Sequence, residues 1–539
     1  MKSPIHELAR LGSLLLLLAG CSQNSADGGA GGQHGAGGLA STGGGVGAGG
    51  SLGAGGASNA SGGNAMGGTL GAGGGAGTGG AAAPPQICDE PAPWPVPSTT
   101  KVVGDGSAES CTADALKQAV SAGGHVTFNC GSAPVTIQVS GSISVGTQTV
   151  VEGGAGNITL DGGGTTRIFW VPSNRALSVR NLRFINGKSP AVDADATGIG
   201  GAVGGDWRSK IEVRHCVFED NTAGRGGGAV SVWTDSSLTV VGSRFLRNHS
   251  WYGGAIYSLL SPLTVVNSEF IDNTTLTDKG TGDGGAIGTD GASASPDDAV
   301  GGKIEICGST FRGNRGYGAG GAAYIWVYPP DQVIIDRTTI EGNANGKNGK
   351  GASMGGAMRI SNGEIVIKGS SFLGNSAEGN GGGFYLDCAP SCTITNSTLY
   401  ANKSAGWGGA IFSGTGSGRI SLNNATVADN TQQNTQANAF FGSATWVMNN
   451  TIFSNNGCAT AGNGAHVIHQ GGSGTCVAGA QSGDPKLGVP ADNGGPTYTM
   501  LPGAGSAALG AGDGCESTDQ RGQMRDPAAC DVGSVELPN

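Results

Sequence analysis

Charge is thin in this chain. Only 13% of its 539 residues are Asp, Glu, Lys or Arg, and the balance is acidic, with a formal net charge of −10 and a pI near 5.2. A nucleic-acid surface needs surplus Lys and Arg to neutralise phosphates, so that class has no electrostatic support. After residue 21 no segment approaches 18 consecutive apolar residues, and none is expected to cross a membrane as a helix. Paired Cys-x-x-Cys clusters and His-rich tracts are missing, and with them the usual sequence signs of a metal site. No repeated segment keeps an apolar period of 3.6 for three turns, which excludes helical repeats.

What is present is repetition. Ten times between residues 180 and 456 a hydroxyl residue is followed two places on by a large apolar residue and three places later, usually, by Asn. Gly-Gly-Ala with an apolar tail often comes next, as in Ser243 to Asn248 running into Gly253-Gly254-Ala255-Ile256. The anchors are Phe184, Phe218, Phe245, Phe270, Phe311, Ile340, Phe372, Leu399, Val427 and Phe453, spaced by 25 to 41 residues. A floor near 25 with sporadic insertions suits a coil of fixed path whose loops lengthen. Stretches such as Leu238-Thr239-Val240-Val241 and Glu364-Ile365-Val366-Ile367 are short and β-branched between Gly, Ser and Asn, which is strand grammar. Gly pairs supply sharp corners. The expectation is a parallel β-helix, with the anchors stacked in one interior column. The Asn residues (248, 273, 314, 375, 402 and 430 among them) fill another, bonding backbone above and below.

Phe-x-x-Asn followed by Gly-Gly-Ala-Ile resembles the repeat of polymorphic outer membrane proteins, whose passengers are right-handed β-helices. The match covers about half the chain. It implies an all-β, pectate-lyase-like solenoid over residues 161–480. The membrane β-barrel of those proteins has no counterpart in this sequence. Residues 84–160 read as an N-terminal cap and first coils. Thr112 to Val120 has the pattern of a short amphipathic helix stopped by Gly123-Gly124, similar to the cap of many bacterial β-helices that protects an exposed strand edge. Over 481–539, Asp492-Asn493-Gly494-Gly495-Pro496-Thr497, Leu501-Pro502-Gly503, Asp519-Gln520-Arg521-Gly522 and Cys530-Asp531-Val532-Gly533 resemble the choice-of-anchor Q domain, implying a small C-terminal cap.

The first twenty residues read as a signal peptide: Lys2 and Arg10, then Leu14 to Leu18, then Leu18-Ala19-Gly20-Cys21, which resembles a lipobox. That resemblance implies acylation of Cys21 and a bacterial envelope location, in the outer membrane or at the cell surface, with membrane contact through the lipid alone. Residues 21–83 read as a disordered tether. Positions 28–80 hold 27 glycines with no three-residue period, so collagen is excluded, and the reach is about 40 Å by random-coil scaling. In such a compartment Cys111/Cys130, Cys388/Cys392, Cys458/Cys476 and Cys515/Cys530 are candidate disulfides by proximity. Cys88 has no assignment, and Cys216 and Cys307 read as strand residues.

Alternation along the strands locates a candidate ligand face. One place after each Gly-Gly-Ala stand Val230, Ile256, Ile287, Ala323, Met358, Phe384, Ile411 and Phe440, all apolar and therefore interior. The next place faces out and holds Ser231, Tyr257, Gly288, Tyr324, Arg359, Tyr385, Phe412 and Phe441. Two further on come Trp233, Leu259, Asp290, Trp326, Ser361, Asp387, Gly414 and Ser443. An aromatic stripe beside carboxylates suits sugar rings. The candidate ligand residues are Trp233, Tyr257, Asp290, Tyr324, Trp326, Tyr385, Asp387 and Phe412. Aromatic pairs also stabilise sheets structurally, and long loops can cover such a face.

The expected function is non-catalytic adhesion, or binding of glycan or envelope polymer, by a monomer. The rival class is a polysaccharide lyase or hydrolase of the same fold, but no catalytic residues stand out. Hydrolysis needs two carboxyls about 5 to 9.5 Å apart, and Asp290 and Asp387 fall three coils apart, about 14 Å. Asp220, Arg247 and Asp272 read as a surface ladder. Asp297-Asp298 is an acidic loop with Ca²⁺-like chemistry, but isolated acidic loops are ordinarily solvated, so no cofactor is expected.

Overall fold

The structure is a computed structural model that describes residues 84–538 apart from 191–197, 276–281, 295–298, 415 and 434–438. Cys21, the signal and tether readings and Asp297-Asp298 lie outside the described residues. The fold is a right-handed parallel β-helix. Four parallel sheets build it among the described residues. Sheet 1 has 13 strands, from Thr100–Val103 to Thr445–Asn449; sheet 2 has 14, from Val135–Gln138 to Gln481–Ser482. Sheet 3 has 11, from Ile143–Ser144 to Phe440–Gly442, and sheet 4 has 7 short strands, from His249–Ser250 to Thr431–Gln432. Early coils visit sheets 1, 2 and 3 in that order; from His249–Ser250 to Thr431–Gln432 each coil adds a sheet 4 strand between sheets 2 and 3.

The corners explain the recurrent small and polar residues. Between sheets 1 and 2 each coil places one residue in the left-handed region, and five of these are Asn: Asn181, Asn267, Asn396, Asn424 and Asn450, with φ of 52, 49, 45, 49 and 49°. Asn tolerates that conformation better than most side chains.

Inside, the anchors stack as expected. Phe184, Phe218, Phe245, Phe270 and Phe311 are fully buried, with successive ring centroids 4.7, 5.0, 4.8 and 4.7 Å apart and ring planes within 4°. The Asn column is a hydrogen-bonded ladder. From Asn221 through Asn248, Asn273, Asn314, Asn343, Asn375, Asn402 and Asn430 to Asn456, each side-chain N–H donates to the next coil's Oδ1 at 2.9 or 3.0 Å. Every later member also receives the backbone N–H of the coil before, so a fully buried amide column is satisfied. The hydroxyls that open each phrase form a second ladder: Ser243 N–H donates to Ser268 Oγ at 3.2 Å, Ser268 N–H to Ser309 Oγ at 3.1 Å, and Ser370 N–H to Ser397 Oγ at 3.2 Å.

The capping helix is present at Ala113–Ala122, with Thr112 as its N-cap and Leu116, Ala119 and Val120 buried. All four expected disulfides form: Cys111 to Cys130, Cys388 to Cys392, Cys458 to Cys476 and Cys515 to Cys530. Their setting differs from what proximity in the chain alone conveys. Cys130, Cys392 and Cys476 are buried, and with their partners Cys111, Cys388 and Cys458 they pack into the main apolar core. These three bridges therefore act as interior staples and contribute nothing to an exposed binding surface. The physical reason is that a bonded pair of sulfurs is apolar and packs like any other core group.

Two features had no local sequence signal. Cys307, read as a plain strand residue, is bonded to Cys88 across 219 residues. That bond pins residues 84–98 as a strap along the outer face of sheet 1. Ile87 and Cys88 N–H donate to Asn267 Oδ1 at 2.9 and 2.8 Å, and Trp94 N–H donates to Glu212 at 3.1 Å. Cys216 is free and buried, and burial pushes its thiol up to about 12. The C-terminal module, for its part, runs back along the flank of sheet 2. Thr497 Oγ1 donates to Gly369 O at 2.9 Å, Gln520 Nε2 to Ser371 Oγ at 3.1 Å, and Arg525 to Asn396 Oδ1 at 3.0 Å.

Candidate functional site

Sheet 3 carries the stripe, and its register confirms the alternation. Val230, Ile256, Ile287, Ala323, Met358, Phe384, Ile411 and Phe440 pair in one line and are fully buried. The line beside it is Ser231, Tyr257, Gly288, Tyr324, Arg359, Tyr385, Phe412 and Phe441. Leu259, Asp290, Trp326, Ser361 and Asp387 form the next.

The N-terminal part of this face is not open. Trp233 is 6% exposed and Tyr257 4%; with Leu259 and Ile199 they form a second apolar cluster outside the coil, against Trp170, Trp207, Tyr252 and Leu260. The Arg225 guanidinium lies 4.8 Å above the Trp233 ring, and Tyr252 stacks on Tyr257 at 5.7 Å. The two candidates therefore point outward but do not reach solvent, because turns entering and leaving sheet 3 fold over them. Gly226 permits the close approach: a Cβ there would stand 2.6 Å from the Tyr257 ring.

Further along, the face opens onto a cluster around Arg359. Its guanidinium carbon lies 5.7, 5.4 and 5.2 Å from the ring centres of Tyr324, Trp326 and Tyr385, within cation–π range. Arg359 Nη2 is 3.6 Å from Asp387 Oδ2, which also accepts from Ser361 Oγ at 2.8 Å. Arg359 Nε is buried and has no hydrogen-bond partner among the described residues. Gly414 leaves room for Asp387, whose Oδ1 would lie 1.7 Å from a Cβ at that position. Asp290 accepts from the Tyr328 hydroxyl at 2.8 Å, and burial raises its carboxyl above the ordinary range. Asp283, at the entry to the same strand, is pushed up to about 6 by burial, against the pull of Arg359 and the Ala319 N–H. Burial also lifts the Tyr324 phenol well above its usual value; Arg359 opposes the rise, and Asp283 and Asp290 add to it. Tyr385 is raised by burial first and by Asp387 second.

Beyond this cluster the aromatic run continues, with Tyr385 to Phe412 at 5.0 Å, Phe412 to Phe441 at 5.8 Å, and Trp407, 40% exposed, stacked on Phe441 at 4.9 Å. Tyr324, Trp326, Tyr385, Asp387 and Phe412 are thus brought together on one half-exposed surface, while Trp233 and Tyr257 are not part of it. Arg359 and Asp283 were not singled out in the sequence. The available signal for Arg359 was its place as the one charged residue in the outward column.

Asp290 and Asp387 sit three strand steps apart, about 14 Å, well beyond a hydrolytic carboxylate pair. Cys88, Cys307 and Asp336 are close enough to share an ion, but both sulfurs are joined to each other at 2.05 Å. Of the Asp220, Arg247 and Asp272 ladder one rung forms: Arg247 bonds Asp220 at 2.9 and 3.0 Å and also Glu219, and no bond joins it to Asp272 among the described residues.

No family model and no curated protein matches the sequence, so the repeat and C-terminal resemblances rest on residues alone. Among solved structures, the chain is similar to a PL6 alginate lyase in complex with a trisaccharide, at 11% identity and a TM-score of 0.47, over 76% of this chain and 91% of that one. It is also similar to a mannuronic acid-specific polysaccharide family 6 lyase from human gut microbiota (11% identity, TM-score 0.35, 69% of this chain and 85% of that one). Tailspike protein 3 of bacteriophage CBA120 is a further likeness (13% identity, TM-score 0.34, 70% and 61%). At these levels the likeness carries nothing about chemistry.

Proposed function

We propose that the open part of sheet 3, from Tyr324 to Phe441, is a contact surface for polysaccharide, and that the chain binds such a polymer without cleaving it. The observation that carries this reading is a run of half-exposed rings at coil pitch, about 19 Å long over four strand steps, interleaved with the fixed polar groups Arg359, Ser361 and Asp387. Flat rings stack on the apolar faces of sugars, and sparse oriented polar groups set their register. The disposition of the covers supports it too: the strap lies on sheet 1 and the C-terminal module on sheet 2, and sheet 3 keeps an open stretch.

The same reading includes display. The chain is a lipoprotein acylated at Cys21, tethered through residues 21–83 at the bacterial cell surface. Its repeats are of the polymorphic outer membrane protein type, closed by a choice-of-anchor Q-like module. The test is affinity electrophoresis of the protein through gels containing a panel of polysaccharides, with parallel assays for unsaturated products and reducing ends. Retardation without product is the expected result; product formation would favour the lyase or hydrolase alternative, and no retardation in any gel would remove the polymer-contact reading.

A further inference from the structure

We infer that the polymer this surface takes is uncharged, a neutral polysaccharide rather than a polyuronate or sulfated glycan. The inference rests on the polysaccharide reading above and sharpens it to a ligand class.

Charge on the open face decides the matter. Arg359 is the one cation in the outward columns from Tyr257 to Ser443, and it is already committed, 3.6 Å from Asp387 and flanked by three rings. Asp283 and Asp290 add two further carboxylates on the Tyr324 side. Both act electrostatically on the Tyr324 hydroxyl, and Asp290 is held by a neutral donor, Tyr328, not by a cation. Arg359 is the one cation acting on Asp283 among the described residues. Three acidic side chains against one guanidinium leave no surplus positive charge for a repeating acidic sugar. Each acidic unit would bring its own anion next to Asp283, Asp290 or Asp387, in a setting where solvent screens poorly. The whole chain, at net charge −10, repels a polyanion on approach as well.

A neutral sugar meets none of this. Its ring faces have Tyr324, Trp326, Tyr385 and Phe412 to stack on. Its hydroxyls can donate to the Asp387 carboxylate, whose side chain is 22% exposed. Excluding acidic polymers by like charge while stacking neutral ones is discrimination by a repulsive element.

The experiment uses the full chain carrying Cys21→Ser, to keep it soluble, in affinity gels at low ionic strength. The gels contain neutral galactomannan or β-glucan in one set and polygalacturonate or alginate in the other. Retardation by a neutral polymer, with acidic polymers at least about tenfold weaker, is the expected result. The double variant Asp283→Asn with Asp290→Asn should gain affinity for the acidic polymers relative to the parent. Preference of the parent protein for an acidic polymer, lost in Arg359→Gln, would overturn the neutral class and leave the polysaccharide reading standing. Retardation by neither class would overturn both.

Discussion

Two stretches of one stripe carry the same kind of residue at the same register and end in different surroundings. Around Trp233 and Tyr257 the outward rings are sealed beneath turns and packed with Ile199, Trp207 and Tyr252. From Tyr324 to Phe441 the rings stay half-exposed, and Trp407 joins them from the neighbouring turn. The direction of a side chain is fixed by strand alternation. Whether it meets solvent is fixed by the turns that flank each strand, and these differ from coil to coil. An outward aromatic column is therefore two things in this molecule: a second core along one stretch and a surface along the next.

That contrast can be broken most sharply at Tyr257. Removing a ring packed on several neighbours leaves a cavity, so Tyr257→Ala should cost about 3–5 kcal/mol, read as a lower denaturant midpoint at unchanged slope. A cost under about 1 kcal/mol would mean that the cover is loose and the stretch is open after all.

The strap is the next lever. Cys88→Ser removes a cross-link between residues 219 apart. It should lower stability by about 2–4 kcal/mol and expose the peptide bonds of 84–98 to limited proteolysis, while the aromatic face of sheet 3 is untouched. Unchanged protease resistance would mean that the Asn267 and Glu212 bonds, with the one from Arg180 Nη2 to Trp94 O at 2.7 Å, hold the strap without the disulfide.

Smaller effects should follow pH. Burial raises Asp283 to about 6 from an ordinary 3.8, so the folded state binds the proton more tightly than the unfolded one. Its contribution is fully present below about pH 4 and is lost as pH rises through about 6. Asp283→Asn should remove that slope and raise stability at pH 7 by on the order of 1–2 kcal/mol relative to the parent. Parallel stability–pH curves for the two proteins would show that Asp283 is solvated like a surface acid.

Much of this was readable in advance, for a physical reason. A stacked coil puts equivalent residues in columns, so the Phe anchors, the Asn ladder and the inward and outward lines of sheet 3 all repeat in the sequence. The four short-range disulfides could be read because their cysteines are neighbours in the chain. That Cys130, Cys392 and Cys476 would end inside the core could not, since spacing says nothing about depth. What else escaped depends on contacts without a period. Cys88 meets Cys307 because the strap folds back over sheet 1. Trp233 and Tyr257 are covered by turns of irregular length. The C-terminal module lies along sheet 2 through bonds such as Thr497 to Gly369 O. Arg359 gains its place from rings on the two coils that flank its own, Tyr324 and Trp326 before it and Tyr385 after, which only the register brings together.

The most direct test of the open stretch is a variant that removes its rings and leaves the covered ones alone. Trp326→Ala, Tyr385→Ala and Phe412→Ala combined should keep the cooperative unfolding transition, with each half-exposed ring costing about 1 kcal/mol or less. The same variant should lose retardation in a polysaccharide gel that retards the parent. A folded triple variant that is retarded like the parent would contradict the assignment of this surface as the binding site.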